Sequence, residues 1–114
     1  MRQLLAAVLL LGCPVAVLAQ QPALNCDVGP ITRAFGGTQW LVYSCRDNRS
    51  VVVVSAPGNP AMPFYFMFSP NADGYRLVGE GTGQKQFTAA ALKDLSKLAE
   101  QDIINLITET KVGK

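Results

Sequence analysis

The sequence predicts an α+β fold in which a C-terminal amphipathic helix packs on one face of an antiparallel β-meander of four to five strands. Three observations predict it. Short apolar or alternating segments are separated by tight-turn sequences between residues 31 and 82, as in a sheet of adjacent antiparallel strands. From residue 89 onward, the apolar period changes from two residues to that of a helix. Two cysteines, Cys26 and Cys45, provide for one disulfide bond.

The first nineteen residues are predicted to form a signal peptide, which leaves residues 20–114 as a single exported domain. A positive charge at Arg2 precedes an unbroken apolar run over residues 4–11, and Val17 and Ala19 place small side chains before a cleavage point after Ala19. The apolar stretch is shorter than the roughly 20 residues that a membrane span needs, so no membrane span is expected. The predicted location is the bacterial periplasm or the outside of the cell.

The segment that ends at Cys13 resembles the lipobox of bacterial lipoproteins and offers a second interpretation of this region. In that case Cys13 becomes the lipidated first residue and tethers the protein to a membrane. Pro14 directly after the cysteine, and the apolar run that continues to Ala19, favour cleavage after Ala19 instead. Retention of the segment as an uncleaved anchor is a third alternative.

Removal of residues 1–19 leaves Cys26 and Cys45 as the only cysteines of the exported domain. An exported pair at this spacing predicts a structural disulfide. It closes a loop of about 20 residues and should stabilise the fold by about 3 kcal/mol. The alternative is a redox or zinc pair, which would favour Cys-x-x-Cys spacing or further ligands, and the chain contains no histidine.

Five extended segments are predicted before the helix. In the second segment, Trp40 shares a face with Val42, and Tyr43 lies on the other face. A two-residue turn at residues 47–48 would place Tyr43 opposite Val52 in the next strand. The predicted segments are residues 31–35, 38–45, 50–56, 64–69 and 75–82.

A helix is predicted over residues 89–109, with Thr88 as its N-cap. The alternative is a break near Glu100, after which Asp102 caps a second, shorter helix. The apolar stripe of the helical segment is expected to pack on a face of the sheet that carries three phenylalanines. The residues expected in this contact are Leu92, Leu95 and Leu106 from the helix and Phe64, Phe66 and Phe68 from the strand.

The composition of the chain excludes several classes of function. The absence of histidine rules out Ser–His–Asp and Cys–His catalysis and removes the commonest transition-metal ligand, so no catalytic residue, metal site or cofactor is predicted. Without Arg2 the domain carries nine Lys and Arg, the ten of the whole chain less one, against eight Asp and Glu. Such a balance is not that of a nucleic-acid-binding protein. A histidine-independent enzyme would have to use Asp73, Glu80 or Lys85, which nothing in the sequence brings together.

The aromatic residues allow two interpretations. They are dense for one small domain, and a single helix covers only one face of a sheet. Either they all belong to the core, or some form a partner-binding surface on the uncovered face, with a rigid proline-rich loop as its rim. The candidate surface consists of Tyr65 and Met67, together with either Trp40 or Tyr43, on the sheet, and of Pro57, Asn59 and Pro60 in the loop.

These observations favour a small exported, non-catalytic protein that binds another protein, such as an inhibitor, an immunity protein or an envelope accessory protein. The alternative is a carrier of a small apolar ligand, which the uncovered sheet face or the gap between sheet and helix would hold. A histidine-independent enzyme is the least favoured of the three. The sequence does not identify the partner, the ligand or the strand at the edge of the sheet.

Overall fold

Five antiparallel strands in sequence order form one sheet, and two helices follow them. The structure is a computed structural model and describes residues 24–113. The predicted signal peptide, its cleavage site at Ala19 and the alternative lipid anchor at Cys13 lie outside these residues. The predicted α+β meander is confirmed. The strands are β1 (Val28–Phe35), β2 (Thr38–Ser44), β3 (Val51–Ser55), β4 (Phe64–Asn71) and β5 (Gly74–Gly81), and the helices are α1 (Lys85–Ser96) and α2 (Glu100–Val112).

The register between β2 and β3 agrees with the sequence prediction, since Tyr43 pairs with Val52. The turn between them is held by the carboxylate of Asp47. It accepts hydrogen bonds from the backbone N–H of Arg49 at 2.9 Å and from the N–H and hydroxyl of Ser50 at 2.8 and 2.6 Å. Asn48 takes the positive φ of 60° that asparagine tolerates in such a turn.

The helical segment is broken into two helices, so the prediction of one continuous helix is wrong and the alternative of a break near Glu100 is confirmed. The second helix is not the shorter one, and Asp102 is not its N-cap residue. The first helix begins at Lys85 with Gln84 as its N-cap residue. Thr88 is buried inside the helix and donates its hydroxyl proton to the Lys85 carbonyl at 3.2 Å. Thr88 is therefore not an N-cap. At the break, Ala99 occupies the N-cap position of α2, and the Asp102 carboxylate accepts the Ala99 N–H at 2.8 Å. Asp102 thus stabilises the start of α2 from within its first turn.

The core lies between the helices and one face of the sheet. Trp40 is fully buried there, and its ring packs against Phe66 with centroids 5.4 Å apart. The indole N–H donates to the Phe35 carbonyl at 3.1 Å and the Thr38 hydroxyl at 3.0 Å, so its burial leaves no donor unpaired. Strand alternation places Trp40 beneath the helices, and it does not belong to the candidate partner surface. The other buried apolar residues of this core include Val42, Val51, Val53, Phe68, Leu95, Ile103 and Leu106.

The helices pack mainly on β1 and β2 and reach only the near side of the central strand β3. Phe66, Leu95 and Leu106 are buried as expected, but Leu92 is 43% exposed. The prediction that Leu92 packs in the core is therefore wrong. The physical reason is the tight β1–β2 turn, in which Gly36 donates its N–H to Asp94 at 2.6 Å and draws α1 toward β1.

Gly36 is the residue that permits this approach of the turn to α1. Its φ is +60°, and a Cβ at this position would lie 2.4 Å from the backbone nitrogen of Ala91. Real Cβ atoms do not come so close to a backbone atom, so only glycine fits. This contact fixes the helix over the first strands and leaves the inner side of β4 and β5 partly open.

The predicted disulfide between Cys26 and Cys45 is present and joins the segment before β1 to the end of β2. Two further contacts hold the same segment. The N–H of Arg46 donates to the Asn25 carbonyl at 2.7 Å, and the Arg46 guanidinium makes two hydrogen bonds to the Asp27 carboxylate at 2.9 and 3.0 Å. Within residues 24–113, neither helix has the length and apolar character of a bilayer-spanning segment.

Candidate partner-binding face

The sheet face that points away from the helices carries a continuous set of apolar side chains, which we call the open face. Strand alternation separates it from the core, because the residues buried under the helices all lie at the other positions of each strand. Its members are half-buried or exposed. They are Leu41 and Tyr43 of β2, Val52 and Val54 of β3, Tyr65 and Met67 of β4, and Val78 of β5.

The strand register arranges the open face in two rows that cross the sheet. One row contains Leu41, Val54, Tyr65 and Glu80, and the other contains Tyr43, Val52, Met67 and Val78. Four strands at about 4.8 Å and two rows about 7 Å apart give a stripe of roughly 270 Å² on the sheet, in which every position but that of Glu80 is apolar. This footprint is a little smaller than the roughly 300–600 Å² of the largest apolar patch on a typical monomer, which is often functional.

Tyr65 is the most exposed aromatic side chain on this face, with 41% of its surface accessible. Its hydroxyl donates to the Glu80 carboxylate at 3.2 Å. The hydrogen bond to Glu80, and then the negative charge of that carboxylate, raise the pKa of Tyr65 above its usual value. Tyr65 therefore presents its ring to solvent while its polar end is held in place, an arrangement suited to contact with a protein.

The loop between β3 and β4 lies at the Gln39 end of β2. Asn59, which the sequence placed on the candidate surface, is only 7% exposed. Its amide donates to the Gln39 carbonyl at 2.6 Å, and its side-chain oxygen accepts the Ala61 N–H at 2.8 Å. Asn59 thus fixes the shape of the loop, whereas Pro57 is exposed and Pro60 is half-buried.

A shallow cleft of about 260 Å³ separates this loop from β2. Gln39 lines this cleft and lies on the same face of β2 as Leu41, two residues further along the strand. The loop therefore adjoins the end of the open face.

Of the seven candidate surface residues, the structure brings Tyr43, Tyr65 and Met67 together on one face. It places Pro57 and Pro60 in the adjoining loop and buries Trp40 and Asn59. Sequence reasoning missed Val78, although its alternation with Leu77 and Gly79 in β5 could have placed it beside Met67.

A second, apolar cleft of about 290 Å³ opens on the other side of the sheet, between α1 and strands β4 and β5. Gly79 lines this cleft. A Cβ at this position would lie 2.8 Å from the ring of Phe66 and 2.9 Å from that of Phe64. The two rings therefore lie across the glycine. The partly exposed Leu92 forms the helical wall, and Lys85 lies at the start of the same helix. The sequence analysis named the gap between sheet and helix as a ligand site of the carrier alternative, but it did not predict this helical wall because it assigned Leu92 to the core.

The three residues considered for a histidine-independent enzyme are not assembled into a site. Asp73 lies in the turn before β5, whereas Glu80 lies at the far end of that strand, about 23 Å away along an extended chain. Lys85 lines the apolar cleft. Among residues 24–113, no three carboxylate or thiol side chains come close enough to hold a metal ion.

No model of a protein family, no curated protein and no solved structure matches this chain. The function must therefore be argued from the surfaces that the fold itself presents. Two of them have a composition that suits binding: the open face and the apolar cleft beside α1.

Proposed function

We propose that this chain is a small exported, non-catalytic protein that binds another protein through the open face and the adjoining proline loop. The observation that carries the proposal is the apolar stripe that crosses four strands. Its most exposed members, Tyr65 and Val78, are 41% and 36% accessible. A roughly 270 Å² stripe is too small for a whole interface of about 800 Å² per partner, but it suits the apolar centre of one.

The structure of the open face supports a role in binding for a second reason. Its side chains project from a sheet that the core, the disulfide and the Asn59 contacts hold in place. A surface that is ordered before binding loses less entropy when a partner docks. Tyr65 supplies a rigid aromatic side chain, and Met67 an adaptable one, which are residue types favoured at the centre of interfaces.

The proposed export agrees with this function. The disulfide between Cys26 and Cys45 is consistent with an oxidising compartment. Inhibitors, immunity proteins and envelope accessory proteins act there, and none of these roles needs a catalytic group.

The proposal can be tested by site-specific photo-crosslinking of the oxidised protein, expressed from the full sequence, in envelope and secreted fractions of its own cells. A photoreactive residue at Tyr65 should yield a discrete adduct with one protein. The matched control is Ile104 on α2, which is also 41% exposed but lies on a helix. The same adduct from both positions, or none from Tyr65, would contradict binding through the open face.

A second candidate function, carriage of a small apolar ligand, is favoured by the cleft between α1 and β4–β5. Its volume of about 290 Å³ lies at the lower end of the range for ligand pockets, roughly 300–1,000 Å³. Native mass spectrometry of protein purified from its own cells should then show a reproducible extra mass. Leu92→Trp, which fills the cleft, should remove that mass, and the Ile104→Trp control on the far helix should retain it.

A further inference from the structure

The two edges of the sheet differ in how well they are protected from a further strand. β1 is irregular, because its pairing with β2 shifts between Val28 and Ile31 and Pro30 has no N–H to offer. β5 pairs with β4 at every residue from Gly74 to Gly81 and contains no proline. Within the described part of the chain, no strand pairs with its outer side. Only its end residues, Gly74 and Gly81, have positive φ, so residues 75–80 form a regular and accessible strand edge.

The side chains of β5 on the open face form a self-complementary series of Arg76, Val78 and Glu80. Consider a second copy of β5 that pairs antiparallel with the first, with a two-fold axis at Val78. Arg76 of each copy then lies opposite Glu80 of the other, and the two Val78 side chains lie opposite each other.

Only this register pairs both charges. With the two-fold axis at Leu77, Val78 lies opposite Arg76 and Glu80 has no charged partner. With the axis at Gly79, Val78 lies opposite Glu80 and Arg76 has no charged partner. Arg76 is exposed and forms no ion pair with any residue between 24 and 113. It is therefore available to a second copy.

The inner side of β5 is complementary in the same register. Leu77 of one copy lies opposite Gly79 of the other, and Gly79 has no side chain to obstruct it. Gly79, Leu77 and Leu92 all line the cleft beside α1. The Leu77 side chain of each copy would therefore cover apolar surface at the mouth of the other's cleft.

We propose that two copies of this chain associate edge to edge through β5, with a two-fold axis at Val78, and form one continuous ten-stranded sheet. The commonest symmetry of soluble oligomers is of this two-fold kind. The two open faces would then lie side by side on the same surface of the dimer. This inference concerns the edge of the sheet and does not depend on what binds the open face.

The test is sedimentation equilibrium of the oxidised protein, expressed from the full sequence, from about 1 μM to about 500 μM. The wild type should show a monomer–dimer equilibrium. Arg76→Glu replaces both opposite-charge pairs by like-charge pairs and should raise the dissociation constant by about tenfold or more. The double variant R76E/E80R restores both pairs with exchanged charges and should bring it back to within about threefold of wild type.

Two control variants make the result specific. Lys93→Glu carries the same charge change as Arg76→Glu but lies on the exposed side of α1, and it should leave the dissociation constant unchanged. Tyr43→Ser alters the open face far from β5 and should do the same. A monomer at every concentration, a dimer insensitive to Arg76→Glu, or a double variant that stays dissociated would each overturn the proposal. Circular dichroism of each variant shows whether it is folded.

Discussion

A buried pair of hydroxyls joins α2 to the sheet, and its removal provides a sharp test of the structure. Ser44 of β2 and Thr110 of α2 are both fully buried, and their oxygens lie 2.7 Å apart. The Thr110 hydroxyl donates its proton to the Ile107 carbonyl at 2.6 Å. Because a hydroxyl has one proton to donate, Ser44 must be the donor and Thr110 the acceptor in their contact.

This direction predicts unequal effects for the two single substitutions. Thr110→Val keeps the shape of the side chain but leaves the Ser44 hydroxyl without its acceptor, so the free energy of unfolding should fall by about 1–3 kcal/mol. Ser44→Ala removes the donor, while Thr110 keeps its bond to Ile107. The expected loss is about 0.5–1.5 kcal/mol.

The double variant S44A/T110V removes both hydroxyls, so no buried donor is left unpaired by the change. Its loss should be smaller than the sum of the two single losses, by about 0.5–1 kcal/mol or more, because residues in contact couple. Urea unfolding with the disulfide intact measures these values, provided that the slope with denaturant is the same for all four proteins. A loss of 2 kcal/mol would lower the Tm by about 10 °C.

The result that would refute this reasoning is an additive cycle, or a Thr110→Val variant no less stable than Ser44→Ala. Either would mean that the two hydroxyls do not form the buried contact that the structure shows. A changed denaturant slope in one variant would instead indicate altered compactness of one state, and thermal unfolding would then supply the four values of the cycle.

Three further predictions concern other contacts. Replacing Cys26 and Cys45 by serine should lower the free energy of unfolding by about 3 kcal/mol in chemical denaturation. Asp102→Ala should cost about 0.5–2 kcal/mol, because it removes the acceptor of the Ala99 N–H. Partial burial alone would raise the pKa of Asp47, but the hydrogen bonds from Ser50 and from the Arg49 N–H lower it below 3.8. Its stabilising contribution is therefore present above pH 3.8 and lost as the pH falls through the folded-state pKa.

Each of these has a control. Reducing agent should bring the wild type to the stability of the serine variant and leave that variant unaffected. Glu100→Ala removes another acidic side chain from the first turn of α2. The hydrogen bond to Ala99 is therefore measured by how much more free energy of unfolding Asp102→Ala loses than Glu100→Ala. For Asp47, the difference in Tm between wild type and Asp47→Asn should shrink as the solution is acidified below about pH 4. A constant difference would show that the Asp47 charge is not involved.

Local sequence was sufficient to locate the five strands, although β1 begins at Val28 and β4 ends at Asn71, outside the predicted bounds. The alternation around Trp40 predicted β2, and the four valines after a turn predicted β3. Their register followed from the turn, because strand faces repeat every two residues. The β2–β3 turn followed from Asp47 and Asn48, whose side chains favour that geometry. The helix break was not decided by local sequence, since both a continuous and a broken helix satisfied the apolar period.

The candidate face was only partly predictable for a related reason. Alternation separated Tyr43 from Val42 within β2 and Tyr65 from Phe66 within β4. It did not show which side of β2 lies on the helix-covered face of the phenylalanines. Trp40 was therefore assigned to a surface that the fold buries. Leu92 was assigned to the core because its position in the apolar stripe does not reveal how far α1 extends over the sheet.

The sequence by itself determined the order of the strands, the disulfide and the absence of histidine chemistry, since these follow from composition and from contacts between neighbouring segments. Only the tertiary structure decided which sheet face is open, where the apolar cleft lies and which edges remain unpaired. Those features depend on where the helices rest. That placement is set by long-range contacts such as Gly36 against Ala91 and Ser44 against Thr110, which no local pattern encodes.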